Sequence, residues 1–355
     1  MLFLAVETLS MAVYILTSYL RDQHRSVEGG LKYFVLGSFS SGFLLLGFTL
    51  IFGATGAIEL PAIAESIASN QADQALLLAG LALTVIGLGF KVGAVPFHSW
   101  LPDAYEAAPA VATGFMSVTV KSAAIVVLLR FLVLVANAPG SELPVGELLT
   151  SLLSLLAAAT ILYGNLVALL QDSVKRMLAY SAIGHTGYLL IGVVAALAPE
   201  GSRTAEAAVL FYLLPYTLMS LAAFTLLGYL GENGADRETF EDYRGLSTSR
   251  PVLSLCLLVV LVSFAGIPPT AGFWAKLHIF RAALDGGHTW LALAGILGSV
   301  ISLYFYLRLA VNMYMRPARE EIESDPDANF ASGVVIVTAA VTLVILGIFF
   351  PDLSL

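Results

Sequence analysis

The sequence of 355 residues contains little cysteine and little charge, and each scarcity excludes a class of protein. The single cysteine, Cys256, cannot build a disulfide framework, an iron–sulfur cluster or a cysteine zinc site from this chain alone. Only 12% of the residues are charged, against about 25% in soluble domains, and 58% are hydrophobic. With a mean hydropathy of +0.88, this composition excludes a water-soluble globular fold and a disordered chain. We therefore expect a polytopic membrane protein.

Long apolar runs divide the chain into segments that can each cross a bilayer, which takes roughly 20 residues. The runs are continuous rather than alternating, so they predict helices and exclude a β-barrel. Apolar residues follow Met1 directly, so no cleavable signal peptide is expected. The predicted fold class is an all-α membrane protein with about ten transmembrane helices. The predicted spans are 2–20, 31–56, 75–97, 112–136, 148–170, 176–198, 205–230, 251–284, 289–315 and 331–350.

Basic residues in the predicted loops gather on one side of the membrane. The other side has only Arg203 and Arg281. Because positively charged loops face the cytoplasm, this bias supports the number of spans and places both termini outside. The longest charged loop, 231–250, then lies in the cytoplasm. The basic loop residues of this arginine-rich side are Arg21, Arg25, Lys175, Arg176, Arg237, Arg244, Arg250, Arg316 and Arg319.

A weak internal similarity predicts a repeat. The segment EGGLKYFVLG from Glu28 resembles EAAVLFYLLP from Glu206, and the two segments lie five spans apart. An odd number of spans inverts the second copy in the membrane, as in many ion and solute carriers. We assign 1–136 to the first half, 148–315 to the inverted second half and 331–355 to a C-terminal transmembrane helix. Shared membrane composition is the alternative explanation.

Lysine and arginine are distributed differently along the chain. Four of the five lysines, Lys32, Lys91, Lys121 and Lys276, lie inside predicted spans, whereas most arginines lie in loops. A lysine at the bilayer centre costs about 2.5–3.5 kcal/mol, so these positions require an explanation. A buried lysine can release its proton, and an arginine cannot. The intramembrane lysines are therefore candidate proton carriers, with static structural cations as the alternative; Lys32 can also extend to the headgroups.

Glu7 is the only carboxylate within the body of a predicted span, so it needs a partner inside the bundle. We choose Lys91 by elimination. Paired with Glu7, Lys91 stays protonated, and separation of the two side chains allows the proton to leave. A static buried ion pair is the alternative.

Glycine and proline interrupt two spans at corresponding places in the two halves. The motif IGLGFKVGAVPFHSW surrounds Lys91, and SFAGIPPTAGFWAK ends at Lys276. Two discontinuous helices are predicted, because broken helices in matching spans point to an ion site near the membrane midplane. His185, within the sixth span, is a further relay candidate, although a hydrogen-bonded core histidine is the more common case. Motifs for metal or nucleotide binding are absent from the sequence, and neither site is expected.

Several motifs together resemble the antiporter-like membrane subunits of respiratory complex I. The matching segments are KVGAVPFHSWLPDAYEAAP (91–109), the helix of Lys121, QDSVKRMLAYSAIGHTGYLL (171–190) and AGIPPTAGFWAKLHIF (265–280). The segment LKYFVLGSFSSGFLLLGFTLIFGATG from Leu31 is similar to the subunit N (subunit-2) branch of proton-translocating NADH:quinone oxidoreductase. Family members carry further spans before the glutamate-bearing helix, so the resemblance implies that the N-terminal helices, including the opening helix of the first repeat, are missing.

The resemblance implies a role for each matching position. Glu7 and Lys91 correspond to an ion pair, Lys32 to a connecting lysine, and Lys121 to a central lysine. Lys276 corresponds to the terminal lysine of the second half-channel. His185 joins this proton relay as a candidate from its position in the sixth span.

The resemblance also implies a non-redox subunit of a translocase whose proton transport is coupled to quinone reduction elsewhere in the complex. No cofactor is expected in this chain, because NADH, FMN, iron–sulfur clusters and quinone belong to other subunits. The implied partners are other membrane-arm subunits, the lipid bilayer and protons, without nucleic acid. The implied location is the inner (plasma) membrane.

Two alternatives remain open from the sequence. A subunit of a multisubunit sodium/proton antiporter or of a membrane-bound hydrogenase shares the central motifs, and the antiporter predicts sodium-dependent proton flux without NADH. A purely structural subunit predicts that all four intramembrane lysines tolerate neutral replacement.

Overall fold

A computed structural model describes residues 1–138, 145–198, 202–231, 238–318 and 330–349. Most of these residues lie in helices. Eight helices are long and apolar enough to cross a membrane. The helices are α1 (Leu2–Thr17), α2 (His24–Thr55), α3 (Leu60–Ala68), α4 (Gln74–Val92), α5 (Trp100–Ala107), α6 (Ala110–Ala136), α7 (Val145–Leu169), α8 (Val174–Ala196), α9 (Ser202–Tyr229), α10 (Leu246–Ser249), α11 (Pro251–Ala265), α12 (Ala271–Asp285), α13 (Thr289–Met315) and α14 (Phe330–Phe349), with a 3₁₀ turn at Phe240–Tyr243.

Each of the ten predicted spans coincides with a helix or a pair of helices, which confirms the all-α membrane class. The chain is therefore a multi-pass membrane protein. α1 and α11 are shorter than the eight long helices but are also apolar. The sequence did not predict α3 or α5, because each is too short to produce a membrane-length apolar run. α2 begins several residues before the predicted span, where Glu28 and Lys32 pair across one helical turn.

Two spans are broken where the sequence predicted breaks. α4 ends at Val92, because Gly93 adopts a left-handed conformation with φ +74°, and α5 begins at Trp100 after residues 93–99. α11 ends at Ala265 before Gly266, which has φ +78°, and α12 resumes at Ala271. Such positive φ angles favour glycine, which has no Cβ to clash with the backbone. Lys91 precedes its break and Lys276 follows its break.

α8 lies at the centre of the molecule and is buried along nearly its whole length. It packs against α7 and α9, and it also contacts α5, α12 and α13. A helix that is apolar on all sides and surrounded by other helices is typical of a bundle core. His185 lies midway along α8, so α6, α9, α12 and α13, which pack against α8, are the helices near this position.

Ion pairs join several loops that the charge distribution predicted on one side. Arg25 forms ion pairs with Glu106 and, at 3.0 Å, with Glu238. Arg176 pairs with Glu106 at 2.7 Å and with Asp103 at 3.1 Å. The first turns of α2 and α8, helix α5 and the segment at Glu238 are far apart in sequence but therefore meet at one end of the bundle, the arginine-rich side. Arg237, Arg319 and residues 350–355 lie outside the described residues.

Candidate functional site

The ion pair predicted between Glu7 and Lys91 is present. Lys91 Nζ lies 2.9 Å from Glu7 Oε1, and 2% of Lys91 is exposed. The same ammonium group donates to the hydroxyl oxygens of Ser10, Tyr14 and Ser41 at 3.0–3.3 Å. On α1, residues 7, 10 and 14 recur at helical spacing, so one face of that helix supplies three of the four partners. Lys91 is thus held by one charge and three neutral acceptors.

Lys121 occupies a different environment on α6. Its Nζ donates to the backbone carbonyl oxygen of Ala182 at 2.6 Å and to the Tyr216 hydroxyl at 3.2 Å. It also lies 5.2 Å from the centre of the Tyr216 ring. Within the described ranges, no carboxylate is close enough to form an ion pair with this lysine. Lys121 is therefore hydrogen-bonded in a site that lacks a fixed counter-ion.

Lys276 lies in the second turn of α12, directly after the helix break. Its Nζ donates to the Ala265 carbonyl at 3.2 Å and to the Ser299 hydroxyl at 2.9 Å, and lies 4.9 Å from the Tyr188 ring centre. Ala265 is the last residue of α11, where the carbonyl groups have no partner inside the helix. The negative end of the α11 dipole therefore faces the lysine. The break supplies an oxygen ligand that a continuous helix would have used internally.

His185 lies between Lys121 and Lys276, neither of which has a counter-ion among the residues that the structure describes. Its Nδ1 is 2.7 Å from the Tyr212 hydroxyl and its Nε2 is 3.2 Å from the Tyr306 hydroxyl. The imidazole ring centre is 5.3 Å from the ring of Tyr216 and 5.6 Å from the ring of Tyr188. Tyr216 contacts Lys121 and Tyr188 contacts Lys276, so the histidine and its tyrosines connect the two amines. In the neutral ring, one nitrogen donates and the other accepts, so each hydroxyl finds a complementary partner.

The tyrosines around His185 are the part of the site that sequence reasoning missed. Tyr188 follows His185 by three residues on α8, and Tyr212 and Tyr216 lie four residues apart on α9. All are buried. Helical spacing around a buried histidine is a usable signal, but tyrosines in apolar helices more often mark the membrane interface.

Two lysines are placed differently from their predicted environments. Lys32 is predicted inside a span, yet 51% of its side chain is exposed, and it pairs with Glu28 at 2.8 Å and Asp103 at 3.8 Å. Lys175 is predicted in a loop, yet it lies in the first turn of α8 with 2% exposed. It donates a short hydrogen bond to the Ala108 carbonyl oxygen. Apolar surroundings in sequence therefore do not decide which lysines are buried.

Comparison with known proteins was made by sequence and by structure. The family described as NADH:quinone oxidoreductase/Mrp antiporter, TM, matches residues 1–302. NADH-quinone oxidoreductase subunit N 1 from Sorangium cellulosum is 45% identical over 360 residues, which cover 100% of this chain and 70% of that protein. The subunit N from Trichlorobacter lovleyi is 41% identical over 344 residues, covering 97% of this chain and 68% of that protein.

Two solved structures with a similar fold come from respiratory membrane complexes. A chain of respiratory complex I from Thermus thermophilus with bound aureothin has a TM-score of 0.80 at 34% identity, covering 98% of this chain and 72% of that one. A chain of the membrane-bound sulfane sulfur reductase, an archaeal respiratory membrane complex, has a TM-score of 0.85 at 30% identity. The match covers 98% of this chain and 68% of that one.

The broken helices and the buried lysines define the class of antiporter-like membrane subunits. The chain belongs to the NADH:quinone oxidoreductase/Mrp antiporter transmembrane family, since the family match spans most of its length. Its similarity to subunits named subunit N is high over nearly the whole chain.

Proposed function

We propose that this chain is a proton-translocating membrane subunit of an NADH-quinone oxidoreductase in the inner membrane of a bacterium. Relatives that are 40–45% identical and bear that name support the assignment. The subunit contributes the translocase part of the reaction and no redox chemistry. Electron transfer, with its NADH, FMN, iron–sulfur clusters and quinone, takes place in other subunits.

The proposed relay runs from Glu7 and Lys91 through Lys121 and His185 to Lys276. The observation that carries it is the continuous contact from Lys121 through Tyr216, the histidine and Tyr188 to Lys276. A lysine without a fixed counter-ion is free to change its charge when a neighbouring charge changes. Each proton position then depends on its neighbours, which is a coupled titration. Water molecules complete the steps between the side chains.

The proposed division of the chain keeps the halves 1–136 and 148–315 and the C-terminal helix within 331–355. Both halves contain a helix that stops at a glycine with positive φ next to a relay lysine. This correspondence supports two related, oppositely oriented halves. Lys32 takes no part in the buried relay geometry, and its proposed connecting role acts from the arginine-rich side.

Replacing Lys121 or Lys276 with methionine tests the relay. In the assembled complex, we expect proton pumping coupled to quinone reduction to be abolished, because methionine preserves the shape of the stem but carries no proton. Pumping is measured in inverted membrane vesicles as acidification per NADH oxidised, with assembly checked by native electrophoresis. Arg281→Gln on the opposite surface is the control, since that side chain is 73% exposed. An assembled Lys121→Met complex with unchanged stoichiometry would overturn the relay.

The same vesicles separate the proposal from its alternatives. Sodium-dependent proton flux without NADH, in proteoliposomes that contain this chain and its partners, would favour an antiporter. Normal pumping after neutral replacement of each intramembrane lysine would favour a purely structural subunit.

A further inference from the structure

Lys175 is a buried lysine that the relay described above does not use. It lies in the first turn of α8, at the arginine-rich side, with 2% of its surface exposed. Its Nζ donates to the carbonyl oxygen of Ala108, the residue that directly follows α5. The neighbouring Arg176 already joins α8 to α5 through ion pairs with Asp103 and Glu106. A second cation is therefore not needed at this position to attach the two helices.

The Ala108 carbonyl oxygen, which accepts from Lys175, also lies near Thr113. Thr113 is the first residue of a row of polar side chains on α6 that continues to Ser117 and Lys121. The single proton of the Thr113 hydroxyl has three carbonyl oxygens within hydrogen-bond distance, those of Tyr105 at 2.9 Å, Pro109 at 3.2 Å and Ala108 at 3.4 Å. Thr113 is fully buried. The lysine ammonium and the threonine hydroxyl thus share one acceptor at the start of α6.

The row continues along one face of α6 to the central lysine. Thr113, Ser117 and Lys121 are spaced by four residues, and all are buried. At 1.5 Å per residue, the row spans about 12 Å of helix. Ser220 of α9 lies beside it and hydrogen-bonds the Tyr216 hydroxyl, which in turn accepts from Lys121. Hydroxyl groups therefore line the approach to Lys121 from the arginine-rich side.

α8 follows the same direction on the other side of the row. Lys175 and Ala182 are seven residues apart, which places them two turns apart on one face. Lys121 donates to the Ala182 carbonyl. Both helices therefore connect the same two levels, with Lys175 and Ala108 nearer the arginine-rich side and Lys121 and Ala182 about two turns further along.

We propose that Lys175, Thr113 and Ser117 form the path by which protons from the arginine-rich side reach Lys121. The proposal rests on the proposed function and names the entry to its central lysine. The Lys175 ammonium gives a proton to a water molecule, and the proton passes along the two hydroxyls to the neutral amine of Lys121. Lys175 regains a proton from the water of the arginine-rich side, so one proton has entered from that side and Lys121 carries its charge.

The chemistry of these groups suits proton transfer. Each hydroxyl can accept one hydrogen bond and donate another, so a proton can move along the row without the side chains leaving their positions. Residues one helical turn apart have Cβ atoms about 5–6 Å apart, a gap that one bridging water can close. An arginine would serve equally well as a static donor to Ala108, but it cannot release a proton.

Substitution of Lys175 separates proton entry from a static role. We expect Lys175→Met and Lys175→Arg to slow proton uptake by roughly tenfold or more in the assembled complex, because neither side chain donates a proton. Uptake is measured in inverted vesicles in H₂O and in D₂O, and we expect a larger isotope ratio in both variants, since proton delivery becomes rate-limiting. A wild-type rate for Lys175→Arg would show a static donor and overturn the proposal.

A threonine series on α6 keeps the proposal testable where the Lys175 variants fail to assemble. We expect Thr113→Val to slow uptake, Thr113→Ser to retain it, and Thr119→Val to match the wild type. Thr119 lies on the same helix, is half-buried and donates to its own helix at Phe115, so it is the matched control. Equal rates for Thr113→Val and Thr119→Val would overturn the path.

Lys121→Met is measured alongside these variants. Normal pumping in Lys121→Met would mean that the proposed function itself is wrong. Lost pumping in Lys121→Met, together with normal uptake in the Lys175 and Thr113 variants, would reject only the entry path.

Discussion

At the scale of single residues, the buried amines fall into two kinds of environment. Lys91 contacts the Glu7 carboxylate, whereas Lys121 and Lys276 contact carbonyl oxygens, hydroxyls and tyrosine rings. Removing one partner of a buried ion pair destabilises the folded state, because the remaining charge stays desolvated. The lysines without a counter-ion depend instead on hydrogen bonds, which serve both the charged and the neutral amine. Residue type alone does not distinguish the two kinds.

The Glu7–Lys91 pair is expected to show strong coupling in a double-mutant cycle. Glu7→Leu leaves the Lys91 charge buried and should lower the free energy of unfolding by about 3–5 kcal/mol. The double variant Glu7→Leu/Lys91→Met should be less destabilised than the sum of the single variants. The free energy of unfolding is measured in detergent for the wild type, the two single variants and the double variant. Purely additive effects would contradict an ion pair at this position.

At the scale of helices, the breaks position the charges. α11 stops at Ala265, so its last carbonyl faces Lys276 instead of a residue of the same helix. The arrangement needs Gly266, because φ is +78° and an added Cβ would lie 2.9 Å from Lys276 Cδ. Gly266 therefore determines both the backbone conformation at the break and the space that the Lys276 side chain occupies.

Alanine substitution at Gly266 tests two separate requirements, the positive φ angle and the space beside the Lys276 side chain. Gly287 has the same φ of +78° and no atom within 4 Å of an added Cβ, so it is a matched control. We expect Gly287→Ala to cost only left-handed backbone strain, about 1–2 kcal/mol. Gly266→Ala should cost more and should also slow proton pumping, because the new methyl group displaces Lys276. Equal stability and equal pumping in the two variants would show that the contact with Lys276 is unimportant.

At the scale of the whole molecule, the charged ends determine orientation. Ion pairs join helix ends and loops of the arginine-rich side to one another, and the exposed pairs Arg25–Glu238 and Arg316–Glu241 contribute at most about 1 kcal/mol each. Their main consequence is topological, since basic loops are retained in the cytoplasm. With this orientation, we expect the breaks and the proposed relay to lie inside the membrane.

Cysteine labelling tests this orientation. In a Cys256→Ala background, Asp172→Cys should react with a membrane-impermeant maleimide only in inverted vesicles, and Arg281→Cys only in intact cells. Both positions are well exposed, at 93% and 73% of the side chain, whereas the native cysteine is buried. The opposite labelling pattern would place the arginine-rich side outside the cell.

The sequence by itself predicted the membrane class, a helix or helix pair at each of the ten apolar runs, the two breaks and the Glu7–Lys91 pair. These follow from local properties: run length sets spans, glycine and proline set breaks, and a lone intramembrane carboxylate requires a cation. Only the tertiary structure decided that Lys175 is buried and Lys32 exposed, and that tyrosines from three helices surround His185. Burial and hydrogen bonding depend on which helix faces pack together, and residues distant in the sequence supply those faces.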